Sequence, residues 1–230
     1  MKTGFGTGFY IVKQLKVTTM KKIIMLTAVS LFITAIKLNA QTASSPNKVH
    51  AGLRAGVNIS NMVKSGNSDY STGSKAGFNA AFFIELPLAS VFSLQPELQF
   101  SQKGYKATGS FLGSPYEYKQ TTSFIEIPLL AKLKPAPGFG IVIGPQFSFL
   151  TSTSTKFSIN NASYETLVKQ DNDNLRKNIL GGVIGMEAGA KNFVASLRYN
   201  IDFQNNNGDG TSSTPKYKNQ VIALGLGIIF

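Results

Sequence analysis

The sequence predicts an all-β protein, an eight-stranded antiparallel transmembrane β-barrel. Three observations carry this. Apolar and polar residues alternate through eight segments of about ten residues or a little more, the length a tilted strand needs to cross a bilayer. The connections between segments alternate long and short. Charges within segments keep to one face, opposite the apolar one.

In the first segment, Ala51, Leu53, Ala55, Val57 and Ile59 share a face opposite Gly52, Arg54, Gly56, Asn58 and Ser60. The second sets Phe78, Ala80, Phe82, Ile84 and Leu86 against Asn79, Ala81, Phe83 and Glu85. The third sets Phe92, Leu94, Pro96, Leu98 and Phe100 against Ser93, Gln95, Glu97, Gln99 and Ser101. The fourth has Ile125, Ile127, Leu129, Ala131 and Leu133 opposite Glu126, Pro128, Leu130, Lys132 and Lys134. The fifth, Phe139–Leu150, is apolar on both faces, with Gly140, Gly144, Gln146 and Ser148 on the weaker one. In the glycine-rich sixth, Leu180, Ile184, Met186 and Ala188 oppose Gly181, Val183, Gly185 and Glu187. The seventh sets Phe193, Ala195, Leu197, Tyr199, Ile201 and Phe203 against Val194, Ser196, Arg198, Asn200 and Asp202. The eighth sets Ile222, Leu224, Leu226, Ile228 and Phe230 against Val221, Ala223, Gly225 and Gly227.

The short connections centre on Pro87–Ser90, Pro135–Gly138 and Lys191–Asn192, and the long ones are Asn61–Lys75, Gln102–Thr121, Thr151–Lys177 and Gln204–Lys218. With an even number of strands every long connection falls on one side, as in barrels with short periplasmic turns and long extracellular loops. A soluble sandwich has no reason to sort its loops so. Backbone polar groups on an open sheet edge are costly in hydrocarbon, so the first strand is expected to pair with the last. The aromatic Phe78, Phe92, Phe139, Phe149, Phe193, Tyr199, Phe203 and Phe230 fall near strand ends on the apolar face, where interface girdles sit.

Residues 20–40 read as a secretory signal peptide: Lys21 and Lys22, then an apolar run from Ile23 to Ile36, then Ala40 before a cleavage point. Residues 1–19 read as an early start or an extension, and 41–230 as the barrel domain. The expected location is the outer membrane of a Gram-negative cell, reached by the general secretory route. The formal charge of +12 is inflated by the six lysines of residues 1–40; the remaining 17 basic and 11 acidic residues leave +6, scattered rather than gathered on one face. That distribution argues against nucleic acid as a partner. With no cysteine there is neither a disulfide framework nor a thiolate metal site. Beyond the leader, no run approaches the roughly 18 apolar residues of a spanning helix.

The segments KVHAGLRAGVNISNM, FSLQPELQFSQKGYK at Phe92–Lys106, IEIPLLAKLKP at Ile125–Pro135 and the terminal GLGIIF resemble the PorT-like outer-membrane β-barrel family, whose members are labelled porin family or outer membrane protein beta-barrel domain. The resemblance covers most of Val49–Phe230 and implies an eight-stranded barrel without a shared activity or catalytic motif. Some relatives of that family serve protein export.

Chemistry in the chain is sparse. His50 is the only histidine, it stands at the periplasmic end of the first strand, and no nucleophile is placed beside it by spacing alone. Asp171 and Asp173 lack the glycine and terminal glutamate of a calcium loop. No catalytic, cofactor or metal residues are therefore expected. Arg54, Glu85, Glu97, Glu126, Lys132, Glu187, Arg198 and Asp202 all point inward and are expected to form an interior polar network. An eight-stranded interior is just wide enough for side chains to fill, so with bulky Phe83 and Leu130 also inward the barrel is expected to be closed. Tyr105, Lys106, Tyr116, Tyr118, Arg176, Lys177 and Tyr217 are expected in the long loops, as contacts for lipopolysaccharide or an extracellular partner. The other expected partners are outer-membrane lipids and the barrel-assembly machinery, the latter through the last strand ending in Phe230. The function expected is a non-enzymatic structural or interaction role. The alternatives are a narrow transport or secretion-accessory barrel and, behind it, a lipid-modifying enzyme.

Overall fold

A computed structural model describes residues 48–64, 72–111, 114–159, 162–169, 175–190, 192–207 and 216–230. The expected leader, with its boundaries at 1–19 and 20–40, lies outside them.

Ten strands run in chain order: β1 His50–Lys64, β2 Thr72–Gly73, β3 Lys75–Ala89, β4 Phe92–Phe111, β5 Ser114–Ala136, β6 Phe139–Ile159, β7 Ala162–Lys169, β8 Asn178–Ala190, β9 Phe193–Asp202 and β10 Tyr217–Ile229. Eight of them close a ring of antiparallel neighbours. Its order is β1, β3, β4, β5, β6, β8, β9, β10, and β10 pairs back onto β1 from Gly52 opposite Ile229 to Lys64 opposite Tyr217. The short β2 and β7 add to β4 and β6 outside the ring. Closure leaves no wall strand with an unpaired ladder, which is what hydrocarbon demands of a spanning sheet.

Alternation sorts the two faces. Leu226 and Phe193 are 74% and 68% exposed, whereas Glu97, Glu126 and Leu130 are wholly buried. Among the described buried residues, polar and charged side chains outnumber apolar ones. A water-soluble domain has the opposite distribution.

At one end two-residue turns join β3 to β4 and β5 to β6; Gly138 in the second adopts φ +73°, a conformation that favours glycine. At the other end β4, β5 and β6 are 20, 23 and 21 residues long. There they continue past the ring as a ribbon, so Gln102–Thr121 is not the long loop expected from sequence. It is a hairpin paired from Gln102 opposite Ser123 to Phe111 opposite Ser114. Much of Thr151–Lys177 is likewise strand, β6 pairing β7 as far as Ile159 opposite Ala162. The physical reason is that both faces of a ribbon clear of lipid tolerate polar residues, so the alternation fades while the hydrogen-bond ladder continues.

Candidate functional site

The interior holds two groups of charge contacts. Arg54 on β1 and Arg198 on β9 converge on Glu97 of β4, each with a 2.8 Å ion pair to Oε2. Arg198 also reaches Glu187 of β8, and Lys132 of β5 bridges Glu187 and Glu85 of β3, both at 2.8 Å. Lys134, nearer the turn end, adds a 3.0 Å contact to Glu85. Gln95 donates to both Glu97 and Glu187, and Ser93 donates to Glu85.

A second group lies toward the ribbon. Lys103 of β4 is pinned between Glu126 of β5 and Asp202 of β9, at 2.9 Å from each. Ser148 donates to Glu126 and Asn219 to Asp202. Gln99 joins the two groups: its oxygen accepts from Arg54 and its amide donates to Glu126. Within this network five cations (Arg54, Lys103, Lys132, Lys134, Arg198) face five anions (Glu85, Glu97, Glu126, Glu187, Asp202), so it carries no net charge. Pairing of this kind is what makes charge tolerable in a barrel interior.

Apolar clusters complete the filling. Leu130, Val142 and Val183 pack on the β5–β6–β8 wall. Phe124, Leu150, Leu175 and Ile179 form one cluster toward the ribbon, and Met62, Tyr105 and Tyr217 another, with Tyr118 against it. Tyr217 donates from its hydroxyl to Gln120, and the Tyr105 and Tyr217 rings meet edge to face at 5.3 Å.

All eight residues expected to line the interior are buried and share these contacts. Lys103 was expected in a loop; it occupies the inward series Glu97, Gln99, Ser101, Lys103 carried one step further. Of the expected loop contacts, Tyr105, Lys106, Tyr116, Tyr118 and Tyr217 lie in strands, and Tyr105 and Tyr217 are buried inward. Arg176 and Lys177 do lie between strands; Arg176 donates through Nε to the Asn205 carbonyl. Asp171 and Asp173 fall outside the described residues. His50 is exposed, opposite Glu85 in the β1–β3 register.

A closed antiparallel ring with an apolar band outside and a charged, filled interior defines a membrane-spanning β-barrel of the outer-membrane kind. The family model described as "Outer membrane protein beta-barrel domain" matches residues 39–207, and the chain belongs to that family. Its place is accordingly the outer membrane. No curated protein matches in sequence. Among solved structures, the chain is similar to the attachment invasion locus protein Ail of Yersinia pestis, at 15% identity and TM-score 0.42, over 80% of this chain and 99% of that one. It is also similar to Neisserial surface protein A, at 9% identity and TM-score 0.42, over 81% and 100%. A third is OprG of Pseudomonas aeruginosa, at 11% identity and TM-score 0.36, over 80% and 97%.

Proposed function

We propose that this barrel is a closed, non-enzymatic outer-membrane protein that acts as a structural or interaction element through its extracellular face. The observation that carries the proposal is the ion-paired bridge from Arg54 and Arg198 through Glu97 and Glu187 to Lys132 and Glu85. It draws on β1, β3, β4, β5, β8 and β9, six of the eight wall strands, and so ties together opposite sides of the ring. The Phe83 ring, 2% exposed, stands beside Arg54 and narrows the same region. The finer family placement, within the PorT-like branch, rests on the Phe92–Lys106 and Ile125–Pro135 segments. Export by the general secretory route rests on the basic, apolar and small-residue succession of residues 20–40.

Planar-bilayer recording of the refolded full chain tests the closed interior. Silence is expected from the native protein. Trimming the bridge with Arg54→Ala, Glu97→Ala and Arg198→Ala together is expected to produce unit steps. Regular unit conductance in the native protein would instead support the narrow-transport reading.

A further inference from the structure

The outward face of β4, β5 and β6 changes character in an ordered way above the apolar band. Register places Phe100, Ile125 and Phe149 side by side at the band's upper edge, where Phe100 opposes Ile125 and Ile125 opposes Phe149. The next outward row is Gln102, Ser123 and Ser152, and the one after it is Gly104, Thr121 and Ser154. Above these stand three lysines in a line: Lys106 opposes Lys119, and Lys119 opposes Lys156.

Directly opposed strand residues have Cβ atoms about 5 Å apart, and like charges so placed are destabilising. The row is only partly neutralised. Lys119 pairs with Glu117 at 2.6 Å, and Glu165 of β7 follows Lys156 in register. A fourth lysine adds to the row. The Lys75 side chain runs across Gly104, its Cδ 3.3 Å from where a Cβ there would stand. Burial, and then the charge of Lys119, hold the Lys75 ammonium below the usual lysine range. Among the described side chains, four lysines thus gather around one carboxylate, Glu117. Beside the row a polar hollow of about 580 Å³ is lined by Thr108, Glu117, Lys119, Lys156, Ser158 and Ser163.

Depth distinguishes between the anions on offer. Six residues along β4 and β5 separate the apolar edge from the lysines. At about 3.3 Å per residue and a tilt near 40°, that is roughly 15 Å of height. Phospholipid headgroups occupy only about 5–8 Å beyond the hydrocarbon. Phosphate carried on sugars reaches higher.

We infer that the outward face of β4–β6 is a binding surface for a phosphorylated glycolipid of the outer leaflet: acyl chains lie against Phe100, Ile125 and Phe149, sugar hydroxyls against the part-exposed Gln102, Thr121, Ser152 and Ser154, and phosphate against Lys106, Lys119 and Lys156. This deepens the interaction role by naming its contact surface. It does not depend on a closed lumen, so a barrel that conducts yet binds the lipid through these lysines would overturn only the earlier reading.

The test uses the full chain in detergent and a fluorescent bisphosphorylated diglucosamine lipid bearing its inner-core sugars, read by anisotropy. Lys106→Gln, Lys119→Gln and Lys156→Gln together should weaken binding about tenfold or more, as loss of three charge-assisted contacts implies. The dephosphorylated lipid should bind the native chain as weakly as the phosphorylated lipid binds the triple variant. Glu117→Gln, which removes the competing carboxylate, should tighten binding. Heat-modifiable migration confirms that each variant is folded, and Lys48→Gln with Lys177→Gln, which removes two positive charges away from the row, serves as the control for lysine loss as such. Unchanged binding by the triple variant overturns the proposal, as does equal weakening by the control pair. Displacement of the lipid by phosphatidylglycerol, or by millimolar inorganic phosphate, overturns it too, because the surface would then be a general anion site.

Discussion

Replacing Glu97 with alanine is expected to destabilise the barrel by about 3–5 kcal/mol, because it leaves Arg54 and Arg198 buried, close together and without their shared counter-charge. Few single substitutions in this chain should cost more. Glu97 is wholly buried and also accepts from Gln95, so its removal takes an acceptor from three buried donors at once and leaves Glu187 as the carboxylate within their reach. Glu97→Gln should recover little, since its amide group presents donors to two guanidinium donors. Replacing the trio together, Arg54→Met, Glu97→Leu and Arg198→Met, should restore most of the loss, because a packed apolar substitute carries no desolvation cost. Urea titration of the refolded protein in micelles reads all three. If Glu97→Ala and the triple variant are equally destabilised, the loss comes from packing, and the ion-pair account of the interior fails.

The second large effect concerns the outer face. Ile143 lies on β6 midway between Phe139 and Phe149, the two ends of its apolar stretch, and is 53% exposed on the surface that meets lipid. Ile143→Arg is expected to cost about 2–4 kcal/mol, whereas the same change at Phe149, at the edge of the band, is expected to cost only about 0–1 kcal/mol. The contrast matters more than either value. Both positions are exposed and apolar, so water as the surrounding solvent would make the two costs nearly equal and small. A depth-dependent cost means that the surrounding medium is a bilayer.

The fold was legible because the bilayer writes a strong pattern. Where a strand has lipid on one side and a polar lumen on the other, its residues must alternate, as Phe193–Asp202 does with Val194 the one apolar residue facing inward. The inward charges were legible for the same reason, since Arg54, Glu97 and Arg198 have no acceptable place on the lipid face. The ribbon was not legible. From Gln102 to Thr121 both faces are polar or aromatic, so nothing in the composition separates a paired hairpin from a loop. Lys103 and Tyr105 were misplaced with it. Extending the inward parity of Glu97, Gln99 and Ser101 by two steps would have found them both. The pairing of Lys103 with Glu126 and Asp202 lay beyond reach, because it depends on the relative register of β4, β5 and β9 around the ring. The lysine row is a register property too. Lys106, Lys119 and Lys156 are far apart in sequence and meet only once the hairpins are aligned.

The central claim is that the apolar face of a closed ring meets lipid all the way round. The chain contains no tryptophan, so a single introduced one reports without background. Leu129→Trp on β5, Ile184→Trp on β8 and Leu224→Trp on β10 put the reporter mid-band on three separated strands of the ring. In vesicles containing acyl-brominated lipid, the account predicts strong quenching at all three positions and protection of all three from aqueous iodide. Iodide quenching at any of them, or bromine quenching on only one side of the ring, would contradict it.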